Sequence, residues 1–339
     1  MSNRDRNMGD ITMEYLAKHP KMLTRTLARL LLKHHPEHYG SLESARSNIR
    51  YYRNALGEKN KAKVKPEDFT REQKPIREWM KHFYLEQEHD SLRDFVIPTG
   101  VSRTLVISDL HIPYHDLEAI TTALEYGEAN NMDSIIINGD LIDFYKASRF
   151  IKDPTRRNLI YEMEMTQEFF DMLRSAFPDI QIYYKLGNHE ERWEMYLKSK
   201  APEIFGDEYY DLQTRLGLTD WNIHFVGGKQ IIKYGKLNVI HGHEFGQSFF
   251  NPVNPARGMF LRAKCSTLAG HNHQTSSHHE NNLNGDSMAT FSTGCLCHME
   301  PEYAPYAFTK WNHGAAFITK NEAGTFHVDN FRIIDGKIV

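Results

Sequence analysis

Five short clusters of acidic, amide and imidazole side chains follow apolar segments of the chain, and these side chains are common metal ligands and acid–base groups. Because residues i and i+2 of an extended segment point the same way, Asp109 and His111 can reach the same ion. Mixed imidazole and carboxylate ligands favour Mn, Fe, Zn, Co or Ni over Ca. The clusters are Asp109-Leu-His111, Gly139-Asp140-Leu-Ile-Asp143, Gly187-Asn188-His189-Glu190, His241-Gly-His243 and Gly270-His271-Asn-His273.

Each cluster alone has an ordinary interpretation, since a His-x-His pair or a Gly-Asp turn is common without a metal. Five such clusters, each after an apolar segment, together favour a shared site. Asp140 is central, because three isoleucines run directly into it and predict a buried strand that ends in a carboxylate. We therefore expect Asp140 to bridge two metal ions. The clusters contain no cysteine, which argues against a zinc finger.

The segments that position these clusters are short apolar strands, which alternate with amphipathic helices from residue 104 onward. An α/β first half followed by a β-rich second half predicts two packed sheets covered by helices. Predicted helices span 117–130 and 159–177. Predicted strands are 105–107, 135–137, 180–186, 223–226, 230–233, 237–240, 267–269, 288–292, 315–318 and 325–334.

In this order the motifs D-x-H, GDxxD, GNH[ED], HGH and GHxH resemble those of the calcineurin-like metallophosphoesterase superfamily, over roughly residues 102–335. The resemblance implies a four-layer α-β-β-α sandwich with a two-metal site at the strand ends. It implies His189 as the catalytic histidine and Asp143 as its supporting partner. The implied ligands are Asp109, His111 and His273 for one metal, Asn188, His241 and His271 for the other, and Asp140 for both.

The resemblance implies a hydrolase in which a metal-bridging hydroxide attacks phosphorus while His189 stabilises or protonates the leaving oxygen. We expect two divalent ions, with Mn favoured and Fe, Zn, Ni or Co also suited to the ligands. The favoured substrate is a phosphodiester, with nucleic acid as the candidate. One alternative is a phosphomonoesterase that acts on nucleotides or phosphoproteins. Another is a DNA-binding protein with a catalytically silent phosphoesterase scaffold.

The N-terminal region differs from the rest of the chain in charge. Residues 18–65 carry 12 Lys/Arg and 3 Asp/Glu, a balance of +9, whereas the whole chain has −3 and the remainder therefore −12. This asymmetry predicts two domains with different partners. We assign 1–65 to a basic helical domain, 66–100 to a charged linker and connecting helix, and 101–339 to the phosphoesterase.

Apolar residues at helical spacing on either side of residues 34–40 predict two helices joined by a turn, with Ser41 as an N-cap. The pair resembles a helix-turn-helix DNA-binding module of phage or mobile-element type, with Arg46, Arg50 and Arg53 facing nucleic acid. A basic helical hairpin that docks on another domain or on a partner explains the pattern equally well.

A basic rim beside the metals would bind a polyanion, although a solvated loop is an equal alternative. The rim residues are Lys146, Arg149, Lys152, Arg156 and Arg157.

The composition is that of a globular protein, with 40% hydrophobic and 25% charged residues in 339. The chain has no apolar run of membrane-spanning length and no signal-peptide pattern, so no membrane partner is expected. Three cysteines are too few for a disulfide framework and favour a reducing cytoplasm, which is the host cytoplasm for a phage protein. The 19 histidines are the unusual feature, and most lie in the second half.

Overall fold

The computed structural model describes residues 7–53, 94–148, 158–246, 253–300 and 308–339. The chain divides into two compact units, residues 1–90 and residues 91–339. The connecting helix expected before about residue 93 lies outside the described residues. So do four residues of the expected basic rim, namely Arg149, Lys152, Arg156 and Arg157.

The described part of the first unit contains three helices, α1 (Met8–Lys18), α2 (Thr24–His34) and α3 (Leu42–Tyr52). Their apolar faces share a core that includes Leu27 and Ile49. Ser41 caps α3 as predicted, because its hydroxyl accepts a hydrogen bond from the N–H of Ser44 at 3.1 Å. Helix α1 was not predicted, since only Ile11, Thr12 and Leu16 of its residues are buried and the apolar period is short.

Two mixed sheets form the centre of the second unit. The seven-stranded sheet has the order β13-β12-β11-β2-β3-β4-β5, and the six-stranded sheet has the order β1-β6-β7-β8-β10-β9. The strands are β1 (Phe95–Val96), β2 (Arg103–Ile107), β3 (Ser134–Asn138), β4 (Gln181–Lys185), β5 (Ile223–Val226), β6 (Ile232–Tyr234), β7 (Leu237–Ile240), β8 (Thr267–Ala269), β9 (Ser276–Asn281), β10 (Ser287–Ser292), β11 (Gly314–Lys320), β12 (Phe326–Ile334) and β13 (Lys337–Ile338).

Helices cover the outer faces of both sheets, so the layers follow the order α-β-β-α, which confirms the predicted fold class. The outer layers contain α4 (Leu117–Ala129) and α5 (Leu159–Ala176) on the seven-stranded sheet, and α8 (Pro255–Ala263) on the six-stranded one. Between them in sequence lie α6 (Glu191–Lys200) and the short α7 (Leu212–Arg215).

Strand β3 shows why its sequence is continuously apolar. Ile135 and Ile137 pack in the core beneath α4 and α5, whereas Ile136 packs in the core between the two sheets. A strand buried on both faces cannot alternate apolar and polar residues. Ile137 pairs with Ile107 of β2 on one side and with Tyr184 of β4 on the other, and both pairings are parallel. The ends of β2, β3 and β4 therefore lie side by side.

Some elements were not predicted from the sequence. Strand β9 is a polar edge strand without an apolar alternation, and α6 buries only Leu197. Part of the segment expected to be a linker also contributes a strand, because Phe95 and Val96 of β1 pair with Ile232 and Lys233. In the described ranges, no helix combines the length and apolar character needed to cross a bilayer.

Candidate metal centre

The five clusters meet at the ends of β2, β3, β4, β7 and β8, because β2–β4 are parallel neighbours in one sheet and β7–β8 in the other. Two groups of side chains each bring one donor atom per residue within 4.8 Å of the others. One group is His111, Asp140 and His189, and the other is Asp140, His241 and His271. Asp140 belongs to both groups.

The backbone at this site is strained. Asp109, His111, Asp140, His271 and His273 all have φ between 50° and 66°, the left-handed region that non-glycine residues rarely adopt. Each such residue costs on the order of 1 kcal/mol or more, and such residues persist only where the surrounding structure imposes them. A concentration of strain after the ends of three strands, β2, β3 and β8, is typical of a functional site.

The first part of the site joins Asp109, His111 and His273. The Nε2 atoms of His111 and His273 are 3.2 Å apart, and Asp109 Oδ1 lies 3.1 Å from His273 Nε2. Asp109 is held by the N–H of His271, which donates to its two oxygens at 3.1 and 2.9 Å, and by the hydroxyl of Ser108 at 2.6 Å. Three donor atoms from two segments that are far apart in sequence thus lie close together.

The second part of the site surrounds Asp140. Its Oδ2 lies 3.3 Å from His241 Nε2 and 3.9 Å from His111 Nε2, so this carboxylate faces both parts of the site. Its Oδ1 accepts a hydrogen bond from the N–H of His189 at 2.9 Å. His241 donates from Nδ1 to the carbonyl of Asn138 at 2.7 Å, which leaves its Nε2 directed at Asp140.

Two buried polar atoms indicate what the site would hold. Among the described residues, neither Asn188 Oδ1 nor His241 Nε2 has a hydrogen-bond partner, and the contact of His241 with Asp140 lacks hydrogen-bond geometry. Buried polar atoms without a partner carry a desolvation penalty of about 1–3 kcal/mol. An amide oxygen and an imidazole nitrogen that has released its proton are electron-pair donors, so a divalent cation would satisfy both atoms. The residues present therefore fit a metal centre.

The pKa values of several groups suit metal binding. Burial raises the pKa of Asp109, but the charge of His273 outweighs burial and lowers it to about 2. For Asp140 the charges of His189 and His241 likewise outweigh burial and keep the pKa well below its ordinary value. Burial and the charge of His241 lower the pKa of His271 to about 4, so this imidazole is neutral at pH 7. Ionised carboxylates and neutral imidazoles are the forms that bind metals. Burial lowers the pKa of His241, but the charge of Asp140 outweighs burial and raises it to about 10, so this ring would release a proton when a metal binds.

Asp143 and Arg192 surround the ring of His189. The Nδ1 of His189 lies 2.9 Å from the carbonyl oxygen of Asp143, and its Nε2 lies 2.8 Å from Arg192 Nη2. The carboxylate of Asp143 also lies 3.2 Å from His111 Nδ1. Burial lowers the pKa of His189, but the charges of Asp140 and Asp143 outweigh it and raise the pKa. Arg192 had no role in the sequence prediction, since it lies outside the five clusters.

Glu190 is a positioning residue that the sequence placed in a cluster without a role. Its carboxylate accepts hydrogen bonds from the N–H groups of Asp140 at 3.0 Å, Leu141 at 2.8 Å and Gly187 at 2.8 Å, and from the hydroxyl of Tyr184 at 2.9 Å. One side chain thus ties the loop after β3 to the loop after β4. The sequence signal was an acidic residue directly after Asn-His.

Glu244 fixes the loop after β7 through hydrogen bonds to its backbone, as Glu190 does for the loops after β3 and β4. It accepts hydrogen bonds from the N–H groups of His241 at 3.1 Å and Gly242 at 2.6 Å, and its other neighbour is the buried Lys185 at 3.1 Å. Burial raises the pKa of Glu244, but the charge of Lys185 outweighs burial and lowers it to about 2. The loop that carries His241 is therefore fixed by a buried ion pair.

A cavity of about 500 Å³ opens beside His111 and Asp143. Trp311 lies on the cavity wall and contacts the ring of His273 edge-on, with ring centroids 4.2 Å apart. The other lining residues are Tyr114, Asp116, Tyr145, Cys297, His298, Met299, Glu300 and His313.

Of the arginines expected to face nucleic acid, Arg50 is exposed on α3. Arg46 is half-buried and pairs with Glu43 at 2.6 Å. Arg53 is held within the helical unit, because its guanidinium donates to Thr24 Oγ1 at 2.9 Å and to the carbonyls of Pro20 at 3.1 Å and Met22 at 2.5 Å. The guanidinium of Arg53 is therefore occupied by contacts within its own unit.

The sequence profile described as calcineurin-like phosphoesterase matches residues 102–303. The Gene 54 protein of Mycobacterium phage L5 is 26% identical over 230 residues, which are 64% of this chain and 88% of that protein. Vacuolar protein sorting 29 from Cryptosporidium parvum is structurally similar at a TM-score of 0.37 and 15% identity, over 70% of this chain and 95% of that one. Yfce, a phosphoesterase from E. coli, is similar at a TM-score of 0.29 and 14% identity, over 67% of this chain and 98% of that one.

Proposed function

This chain belongs to the calcineurin-like phosphoesterase family and is a metal-dependent hydrolase of phosphate esters, and we propose that it hydrolyses phosphodiesters, with nucleic acid as the substrate class. The observation that carries the substrate proposal is the cavity beside His111 and Asp143, which combines aromatic and acidic walls. Similarity to a mycobacteriophage protein supports action in the cytoplasm of an infected host.

The proposed ligands follow the two parts of the site, with Asp140 shared between two divalent ions. Bound there, the ions would act as Lewis acids on the phosphoryl oxygens and lower the pKa of water. Manganese is the first candidate, and Fe, Zn, Ni and Co suit the same donor atoms. The proposed ligands of one ion are Asp109, His111 and His273, and those of the other are Asn188, His241 and His271.

His189 is the proposed general acid. Its Nδ1 faces Asp143, and its Nε2 lies 3.8 Å from Asp140 Oδ2, so Nε2 faces the space between the two groups of donors. When Arg192 Nη2, which lies 2.8 Å from Nε2, turns to the bound phosphate and His189 is protonated, Nε2 can donate to the leaving oxygen of the ester. The raised pKa of His189 keeps part of the population protonated near neutral pH. Asp143 orients the ring, and Arg192 supplies a positive charge next to the bound phosphate.

The cavity favours a diester over a monoester for electrostatic and steric reasons. Asp116 and Glu300 on its wall would repel a second negative charge on the substrate, and a diester carries one charge less than a monoester dianion. Tyr114, Tyr145 and Trp311 offer apolar surface to the ester group, and stacking of a base on an aromatic side chain is worth about 1–3 kcal/mol. A volume of about 500 Å³ lies in the usual range for small-molecule pockets.

The helical unit is proposed as a DNA-binding module that brings the enzyme to its substrate. Support comes from the basic composition of residues 18–65 and from exposed Arg50 on α3. We propose Arg50 and Arg46 as contacts to phosphates. Arg46 contributes after releasing its exposed pair with Glu43, which is an inexpensive rearrangement.

The test compares three substrates with each candidate metal: bis-p-nitrophenyl phosphate, p-nitrophenyl phosphate and linear DNA. We expect hydrolysis of the diester and of DNA, and loss of both in Asp140→Asn, which keeps the shape of the side chain but removes its charge. Circular dichroism should show that this variant is folded. Turnover of the monoester alone would establish the phosphomonoesterase alternative instead. Inactivity with every metal would favour the silent-scaffold alternative.

A further inference from the structure

Cys297 lies next to the first part of the site although it is far from the clusters in sequence. One donor atom each from Cys297, His111 and His273 lie within 4.8 Å of one another. Cys297 is 3% exposed, and its carbonyl accepts a hydrogen bond from His313 Nε2 at 2.9 Å, which fixes this stretch of backbone. The residue also lines the cavity beside His111.

The distances suit a shared ion. An ion with five ligands has angles of about 90–120° between neighbouring ligands, so two nitrogens about 2.0–2.1 Å from it are about 2.9–3.6 Å apart, and a sulfur at about 2.3 Å lies about 3.1–3.8 Å from each. The Nε2 atoms of His111 and His273 are 3.2 Å apart, so they already have this separation. Since the sulfur is within 4.8 Å of both rings, a movement of about 1 Å would bring it to bonding distance.

We propose that Cys297 is a ligand of the ion held by Asp109, His111 and His273. This inference rests on the proposed two-metal site and adds a sulfur donor to it. A thiolate favours softer ions such as Zn²⁺ over Mn²⁺, so this position would prefer zinc, cobalt or ferrous iron. The two ions would then differ in identity.

The other two cysteines provide matched controls. Cys265 lies beside β8 and its sulfur is 3.1 Å from Asn238 Nδ2. Cys295 is buried two residues before Cys297, its sulfur is 3.7 Å from the carbonyl of Asn312, and its thiol interacts with His273 and Cys297. Cys295→Ser therefore tests which of these two neighbouring thiols binds the ion. A buried cysteine often serves only as a small apolar side chain. Neither Cys265 nor Cys295 belongs to a group of potential metal ligands among the described residues.

The experiment uses the full chain loaded with zinc or cobalt, with metal content measured by mass spectrometry. X-ray absorption of the zinc protein should show a sulfur neighbour at about 2.3 Å in addition to nitrogen and oxygen at about 2.0–2.1 Å. The cobalt protein should show thiolate-to-cobalt charge-transfer absorption in the near ultraviolet. Both signals should disappear in Cys297→Ser and persist in Cys295→Ser and Cys265→Ser.

Two bound ions without a sulfur neighbour in the wild-type protein would overturn the proposal and leave the two-metal site intact. Loss of the signal in Cys295→Ser, with retention in Cys297→Ser, would also overturn it. If Cys297→Ser fails to fold, the wild-type spectra together with the Cys295→Ser variant decide the question. Failure of the wild-type chain to bind two ions would instead contradict the proposed function.

Discussion

Asp143 contacts one nitrogen of His189 twice: its carbonyl oxygen lies 2.9 Å from Nδ1 and its carboxylate Oδ1 lies 3.0 Å from the same atom. Two acceptors at one nitrogen favour the tautomer with the proton on Nδ1, which leaves Nε2 to accept from the guanidinium of Arg192 at 2.8 Å. The same carboxylate lies 3.2 Å from His111 Nδ1 and orients that ring in the same way. One acidic residue therefore orients both a proposed acid and a proposed ligand.

The first prediction concerns Asp143→Asn. An amide in this place can present its nitrogen to the histidines and disturb both tautomers, so we expect a loss in kcat of roughly 10–100-fold. The pH profile of kcat should also shift, because the charge of Asp143 contributes to the raised pKa of His189. Asp171→Asn is the matched control, since Asp171 is an exposed carboxylate on α5 that lies outside the site. An unchanged pH profile in Asp143→Asn would contradict the orienting role.

The second prediction concerns Glu190→Gln. The carboxylate accepts hydrogen bonds from several N–H groups and a hydroxyl, and the NH₂ of glutamine would face some of these donors. We expect a loss of roughly 2–4 kcal/mol in the free energy of unfolding and weaker metal binding, measured by denaturation and by titration calorimetry. Glu194→Gln, which removes an exposed pair with Lys198, should leave both unchanged. Equal metal affinity in the two variants would contradict this role for Glu190.

Most of the strands and the five clusters could be predicted because each depends on local pattern. Three consecutive isoleucines identify β3, and the polar residues after it identify the site. The proximity of Cys297 to His111 could not be predicted, since it arises from contacts between segments far apart in sequence, such as the isolated bridge between His115 and Cys297. The internal hydrogen bonds of Arg53 were also hidden, because helical spacing gives the face of a residue but not its partners across a turn.

The third prediction concerns the pH dependence of stability. Glu162 is 1% exposed, and burial, followed by the charge of Asp143, raises its pKa to about 8. The folded chain therefore keeps this proton while the unfolded chain, with a pKa near 4.5, loses it. The contribution of Glu162 to the free energy of unfolding is fully present below about pH 4.5. It decreases by at most about 5 kcal/mol as the pH rises to about 8.

Glu162→Gln tests this point because an amide resembles the protonated carboxyl. Relative to the wild-type protein, the variant should be no more stable at pH 5 and clearly more stable at pH 9, as measured by urea denaturation at both values. Glu168→Gln, an exposed position on the same helix, serves as the control. A stability difference that does not change between the two pH values would show that Glu162 is ionised in the folded protein.

The last prediction separates DNA contact from helical stability within the N-terminal unit. Arg50 is exposed and Arg46 is tied only to exposed Glu43, so Arg46→Ala with Arg50→Ala should weaken DNA binding while the unit stays folded. If each arginine neutralises one phosphate, the slope of log K against log salt should fall by about 2. Arg53→Ala should instead lower the thermal stability of the unit and leave DNA binding unchanged. This substitution removes hydrogen bonds to Thr24, Pro20 and Met22 that join the end of α3 to the start of α2. Fluorescence anisotropy at several salt concentrations measures DNA binding, and thermal denaturation measures the stability of the unit. Unchanged DNA binding in the double variant would exclude α3 as the contact surface and favour the docking alternative.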